Sequence, residues 1–281
     1  MEFAIGCSLA YTVNSPAALV FNLEAAALPR QIIRSESLIS HPPIEPERFT
    51  VPETGNRIIR YVVKGGSFRL DYRADVTLDP LMEDPSAVGE FQAQDLPMTT
   101  LPHLYASRYC QSDKLSRFAT RQFGEEQPGY QRVAAICNWI YGNVDYISGT
   151  TDALTSAFDT VTQRAGVCRD FAHLGIALCR AMGIPARYVS AYAWRLSPPD
   201  FHAVFEAYLN GPTGGAWYLF DPTRMTGADG LVRIGVGRDA ADVAFCSIYG
   251  DVGSGAPQVW IDGPDTAIPV TTAAVSLQAP E

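Results

Sequence analysis

The sequence predicts an α+β protein. A small all-β, sandwich-like domain is expected over residues 1–80, a linker over 81–104, a larger domain of helices followed by strands over 105–250 and a tail over 251–281. Three observations carry this reading. The first eighty residues are short runs rich in β-branched and aromatic residues, broken by Pro, Gly and Asn. Between 112 and 182 apolar residues recur at helical spacing. Strand-like runs then return between 186 and 221 without regular alternation with helices, which favours α+β over α/β. A length of 281 residues suits two domains.

Taken in order, strands are expected at Phe3–Val13, Leu19–Leu23, Gln31–Ser40, Arg57–Val63 and Ser67–Val76. Within the last, Arg69 to Val76 alternates polar and apolar residues, as a half-buried antiparallel strand does. Pro80, Pro85, Pro97 and Pro102, with scattered acids, mark the linker. Helices follow at Ser112–Phe123, at Tyr130–Gly142 with Val133, Ile136, Trp139 and Ile140 on one face, and at Asp152–Arg164 with Asp152 as N-cap. Phe171, Leu174, Leu178 and Met182 define the clearest helix, which Gly183 and Pro185 end. Strands at Ala186–Trp194, Phe201–Leu209 and Ala216–Asp221 come next. From about Ser247 the chain is rich in Gly, Pro, Ala and Thr.

A hydrophobic content of 47 % against 18 % charged residues is that of a folded chain with a sizeable core. The net charge of -9 argues against nonspecific binding to nucleic acid or to an anionic membrane. No basic leader opens the sequence, and no apolar run reaches the roughly 20 residues that span a bilayer, so a cytoplasmic location is expected. The six cysteines, at 7, 110, 137, 168, 179 and 246, form no C-x-x-C pair and are expected as reduced thiols.

The chemistry lies in three blocks: Gly166-Val167-Cys168-Arg169-Asp170-Phe171, Phe201-His202-Ala203-Val204 and Leu219-Phe220-Asp221-Pro222. A cysteine at a helix start, with a histidine and an acid on neighbouring strands, is the kit for thiol nucleophilic catalysis. Cys168 falls in the first turn, where unpaired N–H groups and the helix dipole favour a thiolate. Gly166 lets the backbone turn sharply into the helix. A turn over Asn210–Gly215 pairs residues whose numbers sum to about 425. His202 and Asp221 then lie on one face as diagonal neighbours, roughly 7 to 8 Å apart between backbones. An Asp at that range orients an imidazole.

Blander readings apply elsewhere. Cys179 lies inside the apolar stripe as a small hydrophobe, and His173, five residues beyond Cys168 on the same helix, is a structural histidine. His41 and His103 sit beside prolines in loops and receive no role. Arg169 and Asp170 read as structural partners of the nucleophile. Each member of the trio has its own bland account, but one catalytic explanation covers all three.

Gly166-Val167-Cys168-Arg169-Asp170-Phe171-Ala172-His173-Leu174, Gly183-Ile184-Pro185-Ala186-Arg187-Tyr188-Val189, Phe201-His202-Ala203 and Phe220-Asp221-Pro222-Thr223 together resemble the transglutaminase-like superfamily, over roughly residues 105 to 245. The β-rich part ahead of them resembles the N-terminal domain that accompanies bacterial members. The resemblance implies a papain-like α+β core with Cys168 as nucleophile, His202 as general base and acid, and Asp221 as orienter. One departure is Val204, where members commonly carry Trp two positions after the histidine, a change in the lining of the acyl site.

The expected activity is acyl transfer on a peptide or isopeptide-like amide through a Cys168 thioester, with hydrolysis favoured over transamidation. The Cys168 N–H and the Tyr146 side chain are the expected oxyanion donors. No cofactor is expected, and no calcium loop is present. The partner is a peptide or protein amide. Two alternatives remain at this stage: a noncatalytic peptide-binding module of the same fold, and a metal hydrolase with Cys168, His202 and Asp221 as ligands.

Overall fold

A computed structural model describes residues 1–264 and 271–279; positions 265–270 and 280–281 of the expected tail lie outside the described residues. The chain runs β1 (Glu2–Val13), β2 (Ala17–Phe21), β3 (Gln31–His41), β4 (Glu47–Thr50), β5 (Arg57–Val63), β6 (Gly66–Leu78) and β7 (Leu81–Glu83). It continues through α1 (Ser112–Phe123), α2 (Tyr130–Asn143), β8 (Asp145–Tyr146), α3 (Ala157–Gln163), β9 (Ala165–Gly166) and α4 (Cys168–Ala181). Then come β10 (Ala186–Ala193), β11 (Phe201–Gly211), β12 (Gly214–Phe220), β13 (Leu231–Gly237), β14 (Cys246–Tyr249), β15 (Val252–Ser254), β16 (Gln258–Asp262) and β17 (Ala274–Ser276). Among the described residues no helix is long and apolar enough to cross a membrane.

The N-terminal strands form two antiparallel sheets, ordered β15-β1-β6-β3, with β16 also on β1, and β14-β2-β5-β4. Period-two patterning explains them. Phe3, Ile5, Leu9, Tyr11 and Val13 of β1 are buried, as are Phe68, Leu70, Tyr72 and Val76 of β6, while intervening residues face outward. These side chains share one core with Leu19 and Phe21 of β2 and Ile59 and Tyr61 of β5. Each fully buried Leu, Ile or Phe contributes about 1.5–3 kcal/mol.

Three expectations change. Residues 81–104 are docked rather than a bare linker: Gly89 exchanges backbone hydrogen bonds with Asn210 (2.8 and 3.0 Å), Glu90 pairs with Arg132 at 2.8 Å, and Phe91 stacks on Tyr208. The prolines in this stretch limit it to the short β7 and brief 3-10 turns, so much of its polar backbone is satisfied by such turns and by pairing with a finished sheet. Residues 251–262 do not form a tail, because β15 and β16 both pair with β1, and β14 before them pairs with β2. Sheet edges need cover, and Trp260 of β16 lies over Gly6, where a Cβ would meet the indole at 2.2 Å. The helix expected from Asp152 starts at Ala157. Asp152 instead closes a turn by accepting the N–H groups of Leu154 and Thr155, while Ser156 and Asp159 cap the helix reciprocally.

The second domain is built on the sheet β12-β11-β10-β13, with α4 packed on β11 and β10. Helix α4 is buried nearly all round, which suits a central helix rather than a surface one. Its approach to β11 is set by Gly175, where a Cβ would lie 2.5 Å from the Phe205 ring. Strand β13 is an edge, and the first domain satisfies it. Gln31 donates to the Arg233 carbonyl (2.8 Å) and accepts its N–H (2.7 Å), and Asn56 does the same for Val236 (2.7 and 2.9 Å).

On the sheet face away from α4, buried Glu206 pairs with Arg187 at 2.7 Å and with Arg233. Arg187 is also held by Gln278 (3.0 Å) and the Trp217 ring, but removing one partner of a buried ion pair costs about 3–5 kcal/mol. Glu206→Leu is therefore expected to lower unfolding free energy by that amount in urea titration; a loss below about 1 kcal/mol would contradict the arrangement.

Candidate active site

Cys168 is the first residue of α4, following Val167 in extended conformation. Its own N–H therefore has no partner within the helix. The entry is held by Asp170, fully buried, whose Oδ2 accepts the Val167 N–H (3.0 Å) and the Thr151 hydroxyl (2.8 Å). Gly166 is required by close approach, since a Cβ there would meet Asp170 Cβ at 2.7 Å. Arg169 pairs with Asp170 at 3.1 Å, so both neighbours of the thiol are structural, as read from the sequence.

The hairpin register matches the sequence arithmetic: Phe205 faces Phe220 and Gly211 faces Gly214. Asp221 lies just past β12, and its Oδ2 meets His202 Nε2 at 3.0 Å with both side chains buried. That leaves Nδ1 for the hydrogen bond between His202 and the Cys168 thiol. The order Asp221, His202, Cys168 is a relay and not a set of ligands converging on one point. Among the described residues no group of three or more His, Cys, Asp or Glu side chains is arranged to hold a metal ion.

Burial opposes charge on His202, but its hydrogen bonds to Asp221 and Cys168 outweigh it and push the imidazole up to about 10 from an ordinary 6.5. Burial works against ionisation of Asp221 too, yet hydrogen bonds from His202 and Thr223 hold its carboxyl below the usual range. Oδ1 accepts the Thr223 N–H (2.9 Å) and hydroxyl (2.6 Å), and Oδ2 also accepts the Thr226 N–H (3.3 Å). The threonines escaped the sequence reading, although an Asp-Pro-Thr run is an Asx-turn signal.

Tyr146 reaches the site through β8, which pairs in parallel with β9 so that Tyr146 stands beside Gly166. Its hydroxyl lies against both the Cys168 N–H and the thiol, and its ring packs on Phe171 at 5.7 Å. Burial and the adjacent sulfur push the phenol up to about 12, so it keeps its proton at neutral pH.

Cys168 and His202 open into a cavity of about 500 Å³ walled by Phe201, Val243, Ala244 and Phe245, with Asp200 on its lining. Val204 does not line it; this residue is fully buried in the core shared with the first domain. His173 is structural: it accepts the Ala240 N–H at 3.1 Å, stacks on Tyr109 and so supports the loop that walls the cavity. Cys179 is buried in the helix core.

Comparison with known proteins agrees with this architecture. Residues 116–222 match the transglutaminase-like superfamily, and residues 1–86 match the bacterial transglutaminase N-terminal domain. The chain is 45 % identical to a "putative cysteine protease" from Cytophaga hutchinsonii, covering 99 % of this chain and 98 % of that one with a TM-score of 0.93. It is also 30 % identical over 257 residues to the uncharacterized protein ML0607 of Mycobacterium leprae, covering 84 % of this chain and 88 % of that protein. A further relative, the uncharacterized protein Rv2569c of Mycobacterium tuberculosis, is 32 % identical over 143 residues, 47 % of this chain and 46 % of that one. The chain belongs to the transglutaminase-like superfamily, with a bacterial transglutaminase-type β-domain ahead of its core.

The folded-state pKa of His202 lies above its unfolded value, so protonation favours the fold. This stability is complete below about pH 6.5 and is lost as pH rises towards 10. The stability difference between wild type and His202→Ala is expected to shrink across that window. In NMR titration the wild-type ring should titrate well above 6.5 and Asp221→Asn should lower its midpoint; a wild-type midpoint at or below 6.5 contradicts the geometry.

Proposed function

We propose that this protein is a thiol acyl-transfer enzyme acting on peptide or isopeptide-like amides, a cysteine peptidase or amidase in which hydrolysis is favoured over transamidation. The single observation that carries the reading is the Asp221–His202–Cys168 relay, with Cys168 at a helix N-terminus on the wall of a cavity. In the proposed mechanism the Cys168 thiol passes its proton to His202, and its sulfur attacks the amide carbonyl carbon and forms a C–S bond. The oxyanion receives hydrogen bonds from the Cys168 N–H and the protonated Tyr146 phenol. Collapse breaks the C–N bond, and His202 gives its proton to the departing amine. Water, deprotonated by His202, then cleaves the thioester and releases the acid. Asp221 keeps the imidazole oriented throughout.

Cys168 is partly exposed within the cavity, which supports water as the acyl acceptor. We also propose a cytoplasmic, reducing setting, since the chemistry needs a free thiol and all six cysteines stand unpaired.

Brief iodoacetamide treatment at mildly acidic pH tests the nucleophile. Preferential alkylation of Cys168, lost in His202→Ala, is expected; reaction no faster than a free thiol would instead mark a noncatalytic binding module. Against a peptide library, Cys168→Ala is expected to abolish turnover without lowering the melting temperature, and Asp221→Asn to leave a measurable residue. Adding a primary amine distinguishes acid products from amides, and a predominance of amide would reassign the acceptor. Tyr146→Phe is expected to lower kcat by about 10²-fold with KM little changed; an unaltered kcat removes Tyr146 from the oxyanion site.

A further inference from the structure

Asp200 is the only acid among the described residues that lines the cavity. It lies just ahead of β11, two residues before His202, and both side chains line the cavity. One carboxylate oxygen, Oδ1, accepts the Phe201 N–H at 2.7 Å, and Oδ2 accepts no hydrogen bond among the described residues. Asp200 is exposed, and its charge is felt by His202 and by Tyr146, the two side chains that flank Cys168. The cavity's one arginine does not neutralise it, because Arg169 is engaged by the Asp170 carboxylate and the Asp152 carbonyl. Much of the remaining wall is apolar, with Phe201, Ala240, Val243, Ala244 and Phe245, and its other polar side chains, among them Tyr188, Ser190 and Ser247, are uncharged hydroxyls. A largely apolar wall carrying one carboxylate that no cation pairs among the described residues matches a side chain with an alkyl stem and a positive tip.

We propose that Asp200 is a specificity residue that binds the ammonium of a lysine-like side chain in the acyl-donor peptide, next to the scissile amide. The inference rests on the acyl-transfer reading of the same cavity and adds to it the charge of the substrate. An acidic chain, at net charge -9, favours the approach of such a peptide as well.

The first test needs no turnover. Modification of Cys168 by aminoethyl, methyl and sulfonatoethyl methanethiosulfonate is followed by peptide mass mapping, which separates it from Cys246, and each rate is divided by that of a free thiol. The cationic-to-neutral ratio is expected to be about fivefold higher in wild type than in Asp200→Asn; an unchanged ratio overturns the proposal. The second test compares alkylation of Cys168 by chloromethyl ketones of amino-blocked lysine, amino-blocked norleucine and norleucine with a free α-amino group. The blocked lysine reagent is expected to react about fivefold faster than blocked norleucine, with the advantage lost in Asp200→Asn. Equal rates, or preference for the free α-amino reagent, contradict a lysine-like side chain. Iodoacetamide reacting at Cys168 no faster than at a free thiol defeats the acyl-transfer reading, while the methanethiosulfonate ratio still decides the role of Asp200.

Discussion

The site depends on how closely the first turn of α4 can approach β11. That distance is fixed by Gly175, whose missing side chain admits the Phe205 ring, and by Gly166, which admits Asp170 beneath the helix entry. With both in place the helix delivers Cys168, on a backbone N–H that has no helical partner, to the one end of β11 where His202 emerges. Interiors are close-packed, so a methyl group at either glycine has to be met by movement of the ring or the carboxylate. The chemistry of the thiol is thus set by helix–sheet packing before any catalytic hydrogen bond is considered.

A second layer of order holds the histidine. Asp221 is buried, yet it is surrounded by donors from Thr223, Thr226 and His202 that make a buried carboxylate tolerable. The two threonines come from the turn immediately after Asp221, so this carboxylate carries part of its own support in sequence. The first domain contributes at longer range. Gln31 and Asn56 pair with the open edge of β13, and β14 of the sandwich brings Cys246 and Ser247 to the cavity wall. Through these contacts the β-domain forms part of the cleft that contains Cys168.

Much of this was legible in the sequence because it is local. The Arg57–Val63 strand and the Ser112–Phe123 helix follow from period and punctuation, and the hairpin sum of 425 follows from one turn. The trio was legible for the same reason: each member sits at a recognisable element end. What escaped was non-local. Nothing in a Gly-, Pro- and Thr-rich stretch announces that β15 and β16 return more than two hundred residues to pair with β1. The Pro-rich 81–104 segment likewise reads as a linker until a finished β11 offers Asn210 as its partner. Tyr146 was reachable only as a guess, since a two-residue parallel bridge leaves no periodic trace. Asp200, in the loop just ahead of β11, carries no periodic signal that would mark it as a lining residue.

The central claim is that Cys168 carries the acyl group. Intact-mass spectrometry of the protein quenched in acid during reaction with a peptide library tests it most directly. The account predicts a hydroxylamine-labile acyl adduct that maps to Cys168 and is absent from Cys168→Ala. Products formed with no adduct on Cys168, or an adduct that persists in Cys168→Ala, would contradict it.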